Sequence, residues 1–357
     1  MKKILCIVIG LMLVLGLALV GCTPEAAQES SEPVAEKQTT QKTEETTEAT
    51  EITSDFTGNE EQEYYMVTFY SGYPFWVDCY NGFEAAAELY GVKTVYGGTT
   101  EYDVNAAITA LDQIIAKKPS GIALTCMDAE AYIPSINKAI EMGIPVVTFD
   151  SDSPSSERIA FIGTMNYEAG ATAARYIGGK LGGTGKVAAV TSLGQTNIKE
   201  RTQGFEETMA AEYPDVEVVQ IVDGGTDQIQ SATAVANMLK VNTDVDYMFC
   251  ALVTASIGAQ QAIEEAGMTG EIKIVAFDTD TVTLDSIKSG EVEASISQAP
   301  WCMGYWTMNY LYFLKNGLIN PVDDWQAKGY PAIPATADSG STVVTVENAD
   351  NFYTPEE

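Results

Sequence analysis

Six short apolar runs of this chain end in residues that can hold a small polar molecule. They are Pro74-Phe75-Trp76, Cys126-Met127-Asp128, Asp150-Ser151-Asp152, Leu252-Val253-Thr254, Phe277-Asp278-Thr279 and the single amide Gln298. A flat aromatic stacks on the C–H face of a sugar-like ring. Carboxylates and amides satisfy hydroxyl groups through hydrogen bonds that strengthen when one partner is charged. Histidine is absent from all 357 residues, so a Ser-His-Asp triad, an HExxH zinc site and histidine proton relays are excluded. Asp150-x-Asp152 and Asp278-x-Asp280 open like calcium loops but lack the central Gly and the terminal Glu, so they read as caps or turns and no metal is expected. The Gly-rich stretch 178–186 puts Lys180 where the first glycine of a phosphate loop belongs and Val187 where Ser or Thr should stand, and it precedes a strand instead of following one. It reads as a helix end and turn. Single acids at strand ends read as anchors for a ligand, so no cofactor and no turnover are expected.

The elements that must position these residues alternate along nearly the whole chain. Strands are predicted at 65–70, 93–96, 121–126, 145–150, 159–163, 186–191, 217–222, 247–252, 273–278 and 294–298. Amphipathic helices are predicted at 77–90, 104–117, 129–142, 168–181, 199–211, 228–240 and 256–266. Gly91, Gly143 and Gly267 follow three of them at the C-cap position. Regular β-α-β alternation demands parallel sheets with helices on both faces, and ten strands with a Ser- and Pro-rich break at 152–157 make two doubly wound α/β domains. Ligands of such sheets bind beyond the carboxyl ends of the strands, here in a cleft between the two halves.

At these residues the chain resembles the ribose/galactose-type solute-binding proteins of ABC transporters, the type I periplasmic-binding-protein superfamily, from Tyr64 onward. The resemblance is carried by Tyr73-Pro74-Phe75-Trp76 leading to Gly82, and by Phe149-Asp150-Ser151-Asp152-Ser153-Pro154 leading to Tyr167 and Gly170. Asn197-Ile198-Lys199-Glu200-Arg201 with Gly204-Phe205, Val275-Ala276-Phe277-Asp278, and Gln298 complete it. It implies two Rossmann-like lobes joined by three crossovers near Thr164, Gln298 and Thr336. The first lobe would be 64–164 with 299–335, and the second 165–298 with 336–357. Carried over by position, Phe75 and Trp76 would sandwich a sugar ring and Asp150 would accept from its hydroxyls. Arg201, Asp278 and Gln298 would contribute from the other lobe and the hinge. Two departures stand out: Ser151 replaces an Arg common in the group, and Leu252-Val253 replace an Asn-Asp pair. Fewer anchors imply a less hydroxylated or differently shaped ligand than ribose, with Thr254, Ser256, Asp152 or Asp128 substituting. The resemblance implies delivery of a monosaccharide, cyclitol or furanone to a membrane permease, or its presentation to a sensory receptor.

The front of the chain sets the compartment. Lys2 and Lys3 precede an apolar run from Ile4 to Val20, which ends in Leu19-Val20-Gly21-Cys22, the pattern of a bacterial lipoprotein box. Residues 1–21 read as a signal peptide and Cys22 as the lipidated first residue, which anchors the protein to the outer face of the cytoplasmic membrane. Residues 22–63, rich in Glu, Thr, Ser and Gln, cannot bury enough surface to fold and read as an extended stalk. Signal and stalk account for −8 of the net charge of −31, leaving −23 on the folded part. That charge argues against nucleic acid and against docking on anionic lipid. Cys79, Cys126, Cys250 and Cys302 are singly placed and read as buried free thiols.

Overall fold

The computed structural model describes residues 61–353 with the exception of residue 326. The signal peptide, Cys22 and nearly all of the stalk therefore lie outside the described residues. The first sheet is built from β1 (Glu63–Thr68), β2 (Lys93–Gly98), β3 (Gly121–Leu124), β4 (Val146–Phe149) and β5 (Ala160–Gly163), with α1 (Pro74–Tyr90), α2 (Val104–Ala116) and α3 (Ile133–Glu141) between them. A second unit repeats the plan with α4 (Asn166–Lys180), β6 (Gly185–Thr191), α5 (Thr196–Glu212), β7 (Val216–Asp223), α6 (Gln228–Leu239), β8 (Tyr247–Cys250), α7 (Val253–Glu265), β9 (Lys273–Phe277), α8 (Thr281–Ser289) and β10 (Ala294–Ser297). The chain then returns through α9 (Pro300–Lys315), β11 (Thr336–Asp338) and β12 (Thr342–Val344). Sheet orders are β11-β5-β4-β3-β1-β2 and β12-β10-β9-β8-β6-β7. Every pairing is parallel except β10 with β12. These are two doubly wound α/β lobes, as the alternation requires.

The local reasons are ordinary. Strands β3, β4, β8 and β10 are buried at every position, which suits sheets covered by helices on both faces. Asp103, Asp227 and Asp280 cap the N-termini of α2, α6 and α8 by accepting backbone N–H bonds. Helix α9 was not among the predicted helices. Its sequence PWCMGYWTMNYLYFLK shows no clean polar stripe, because it packs on α1 along one side and on β3 and β4 along another.

Three segments join the lobes: Thr164-Met165 between β5 and α4, Gln298-Ala299 between β10 and α9, and residues 339–341 between β11 and β12. The third lies later than Thr336. Residues 336–338 continue the first sheet as β11, pairing Thr336 with Phe161 and Asp338 with Gly163, so this stretch belongs to the first lobe. A three-residue strand carries too little pattern to be read from sequence.

Each lobe locks one helix pair through mutually facing glycines. A Cβ at Gly82 would stand 2.0 Å from the Trp301 carbonyl oxygen, and one at Gly304 1.7 Å from that of Cys79, so α1 and α9 touch backbone to backbone. In the second lobe, Gly170 on α4 would place a Cβ 1.8 Å from the Arg201 carbonyl oxygen, and Gly204 on α5 would place one 1.9 Å from that of Tyr167. A Gly170→Ala substitution must therefore push α5 away. The expected cost is about 2–3 kcal/mol of stability in a denaturant titration, with weaker ligand binding because Arg201 moves with its helix. A variant of unchanged stability and affinity would show that α5 tolerates the shift.

Candidate functional site

In the first lobe, the β1–α1 connection runs through Tyr73-Pro74, and Pro74 opens α1 at its first turn. Trp76 is 5% exposed and meets Phe69, Phe75 and Phe149 edge-on, with ring centroids 5.3, 4.9 and 6.0 Å away. Phe75 and Trp76 lie at 87° in direct contact, which leaves no room for a ring between them. They are not arranged as the two slices of a sandwich. Partly exposed Phe75 lines the cleft, and Trp76 backs it.

Asp150 and Asp278 occupy equivalent places in the two lobes. Each follows a Phe at the end of its lobe's fourth strand, and each sits in the left-handed region, at φ 58° and 72°. Aspartate tolerates this conformation better than most residues, and such backbone positions concentrate at functional sites. Asp150 is buried and accepts from Ser151 Oγ at 2.7 Å. Burial pushes its carboxyl up to about 6, against the pull of the Ser151 bond and the Arg201 charge and with a further push from Asp278. The Asp278 carboxyl is also raised by burial, opposed by Arg201 and by Gln298. The Arg201 charge thus acts on acids of both lobes.

Arg201 is held on all sides. It is 3% exposed, donates from Nε to Asn166 Oδ1 at 2.8 Å and from Nη1 to the Ala251 carbonyl at 3.1 Å, and lies 3.7 Å over the Phe277 ring. Gln298 ties the hinge to the site. Its Oε1 accepts from Thr164 Oγ1 at 2.9 Å, and its Nε2 donates to Asp278 Oδ1 at 2.7 Å. Two of the three interlobe segments are therefore bonded to each other and to a cleft acid.

Phe75, Asp278 and Gln298 line a cleft of about 390 Å³, within the usual range for small-molecule pockets. Asp150 with its partner Ser151, and Arg201, are not in that lining and are linked to it through the charges of Asp278 and Arg201. Asp128 is not joined to them: it is exposed and accepts from the backbone of Glu130 and Ala131, both at 3.0 Å, as the cap of its own turn. Asp152 is held by Arg158 in a two-pronged ion pair, at 2.7 and 2.6 Å, and accepts from Thr148. Ser256 donates to the Val253 carbonyl. Of the four candidate substitutes, Thr254 alone keeps a buried side-chain oxygen without a hydrogen-bond partner.

Several residues around the site were not named as candidates from the sequence. Thr125 ends β3 in the way Asp150 ends β4, and its buried Oγ1 has no partner. The strand-end rule pointed here but overshot by one residue, to Cys126. Tyr73 reaches across to the second lobe, where the charges of Asp278 and Asp280, after burial, push its phenol up. Gln195 Nε2 of α5's N-cap donates to Tyr102 Oη of the first lobe at 3.0 Å. Removing that bond by Tyr102→Phe is expected to weaken ligand binding about 3- to 10-fold through faster dissociation, measured by stopped flow. An unchanged dissociation rate would mean the bond does not hold the lobes together. The four described cysteines are free, and among the described residues no group of His, Cys, Asp or Glu could hold a metal ion.

A family model described as the periplasmic binding protein domain matches residues 64–318. Among solved structures, the fold matches a sugar-binding protein of a sugar ABC transporter from Bacillus halodurans at 40% identity and TM-score 0.79, over 82% of this chain and 100% of the other. It matches AraP, an arabinose-binding protein from Geobacillus stearothermophilus, at 42% identity and TM-score 0.77, over 82% and 99%. The D-allose-binding periplasmic protein of Escherichia coli is 25% identical over 272 residues, 73% of this chain and 87% of its own. No described helix is long and apolar enough to cross a membrane.

Proposed function

The chain belongs to the periplasmic binding protein domain family, and from that premise we propose that it is a lipid-anchored extracytoplasmic receptor that captures a monosaccharide between its lobes and hands it to an ABC permease. A pentose is the first candidate. The arabinose-binding protein at 42% identity supports this choice. So does the small number of charged anchors, with Ser151 in place of a second arginine.

One observation carries the reading: Asp150 of one lobe and Arg201 of the other are buried charged side chains near strand and helix ends facing the cleft, and Gln298 bonds both Asp278 and Thr164 of the hinge. A ligand whose hydroxyls accept from Arg201 and donate to both carboxylates would bridge the lobes. Such bridging favours the closed form, because only that form makes both sets of contacts. No bond is made or broken in the ligand. Phe75 would take a C–H face of the ring. Cys22, outside the described residues, would carry the lipid and the stalk would lift the lobes off the membrane.

Titration calorimetry of the mature chain with Cys22→Ser against arabinose, ribose, xylose, allose, fructose and an inositol tests this. Micromolar binding of one pentose, about −8 kcal/mol, is the expected result. Heat from no sugar in that panel, in a folded sample, would sink the sugar assignment. Labelling cells with a radioactive fatty acid tests the anchor, with Cys22→Ala expected to lose the label.

A further inference from the structure

The cleft of about 390 Å³ runs past the two charged side chains that would anchor a first sugar ring, since Asp150 and Arg201 are not in its lining. From Asp278 and Gln298 it continues outward between the first turns of α1 and α9 on the first lobe and residues 351–353 on the second. This outer part is an annex to the site. A cavity of about 150 Å³ holds one six-atom ring, which scales to about 250 Å³ for the ten non-hydrogen atoms of a pentose. A pentose placed wholly within the cleft leaves roughly 140 Å³ unfilled. One drawn toward Asp150 and Arg201 leaves more.

The annex repeats the chemistry expected for a sugar. Trp301, the second residue of α9, is 41% exposed although its ring stacks on Tyr305 with centroids 4.8 Å apart. Tyr305 holds the indole in a fixed plane, and the exposed part is free to take the C–H face of a second ring. Phe352 and Tyr353 line the annex from the second lobe. They are fixed by a one-turn 3-10 helix, Ala349–Phe352, whose Ala349 is fully buried, and by the bond from Tyr353 Oη to Asp285 Oδ1 at 2.7 Å. Partners for hydroxyl groups stand on both sides. Asp78 of α1 is raised by burial, opposed by the backbone N–H of Trp301 from which it accepts, and Asp280 faces it from the start of α8. Lys and Arg are missing among the described residues that line the space, which disfavours a phosphorylated or otherwise anionic ligand there.

We propose that the annex is a second sugar subsite, so that the receptor takes its pentose as the end unit of a disaccharide as well as free, with the second ring stacked on Trp301 and bonded to Asp78. The proposal rests on the sugar reading and extends it. Both lobes line the annex, so the second ring adds to the contacts that only the closed form makes.

Titration calorimetry of the mature chain with Cys22→Ser against arabinose, xylose, arabinobiose and xylobiose tests it. The disaccharide of the preferred pentose is expected to bind about tenfold tighter than the free pentose. Trp301→Ala should remove that advantage and leave affinity for the free pentose unchanged. Asn351→Trp, at an exposed position on the annex wall, should fill the space and exclude the disaccharide while the pentose still binds. Melting curves check that each variant is folded, and either variant alone suffices. A wild type that binds a pentose as tightly as its disaccharide, or tighter, overturns the proposal and spares the sugar reading. So does a folded Trp301→Ala or Asn351→Trp variant that keeps the wild-type preference. Binding of no sugar at all overturns both.

Discussion

Asp150→Asn is expected to make the empty protein more stable at pH 7.5 and to abolish high-affinity ligand binding in the same molecule. The carboxyl is held at about 6 instead of its ordinary 3.8, because burial outweighs the Ser151 bond and the Arg201 charge. Keeping it ionised costs the folded protein about 3 kcal/mol. The folded protein binds this proton more tightly than the unfolded chain does. This group's contribution to stability is therefore greatest below pH 3.8, falls as pH rises to about 6, and stays low above that. Asparagine removes the charge and keeps the shape. At about 2–4 °C per kcal/mol the melting temperature should rise by several degrees, reduced by whatever attraction to Arg201 is lost. Binding should weaken by about 100-fold or more, because each hydrogen bond from a ligand hydroxyl to a carboxylate contributes about 1.5–3 kcal/mol. Thermal unfolding between pH 4 and 8, with calorimetry beside it, checks both halves. A variant that melts at the wild-type temperature would mean the buried charge is not strained, and one that binds normally would remove Asp150 from the site.

Arg201→Met is expected to have the opposite effect on stability and the same effect on binding. The guanidinium is buried, bonded to Asn166 and the Ala251 carbonyl, and lies over Phe277. Methionine fills part of the space but removes the charge that lowers both Asp150 and Asp278. Breaking a buried charge cluster by removing one member typically costs about 3–5 kcal/mol. Because the Arg201 charge lowers both acids, its loss raises both further. The variant should then lose stability more steeply than the wild type as pH rises from 5 to 8, in denaturant titrations at several pH values. Adding Asp150→Asn to Arg201→Met should recover a large part of the loss, since it discharges one of the two stranded acids. If the double variant is no better than Arg201→Met alone, the two acids are not coupled through this arginine.

The amino-acid sequence by itself determined the two-lobed parallel plan, because β-branched runs alternating with helix-length amphipathic segments can bury both faces of a sheet in only that way. It also determined where ligand chemistry must sit. Phe149-Asp150 and Phe277-Asp278 end strands of fixed direction, so both acids face the carboxyl edges. The register of β11, the helical nature of α9 and the third crossing near residue 340 were decided by tertiary pairing, since a three-residue strand and a helix buried on two sides carry no period of their own. The roles of single side chains were decided there too. Asp150, Asp152 and Asp128 look alike in sequence, yet one is buried and bonded to Ser151, one is held by Arg158 and one caps an exposed turn. Tyr102 had no motif to announce it. What distinguishes such residues is desolvation and the partner within reach, and both exist only once distant strands and helices have been brought together.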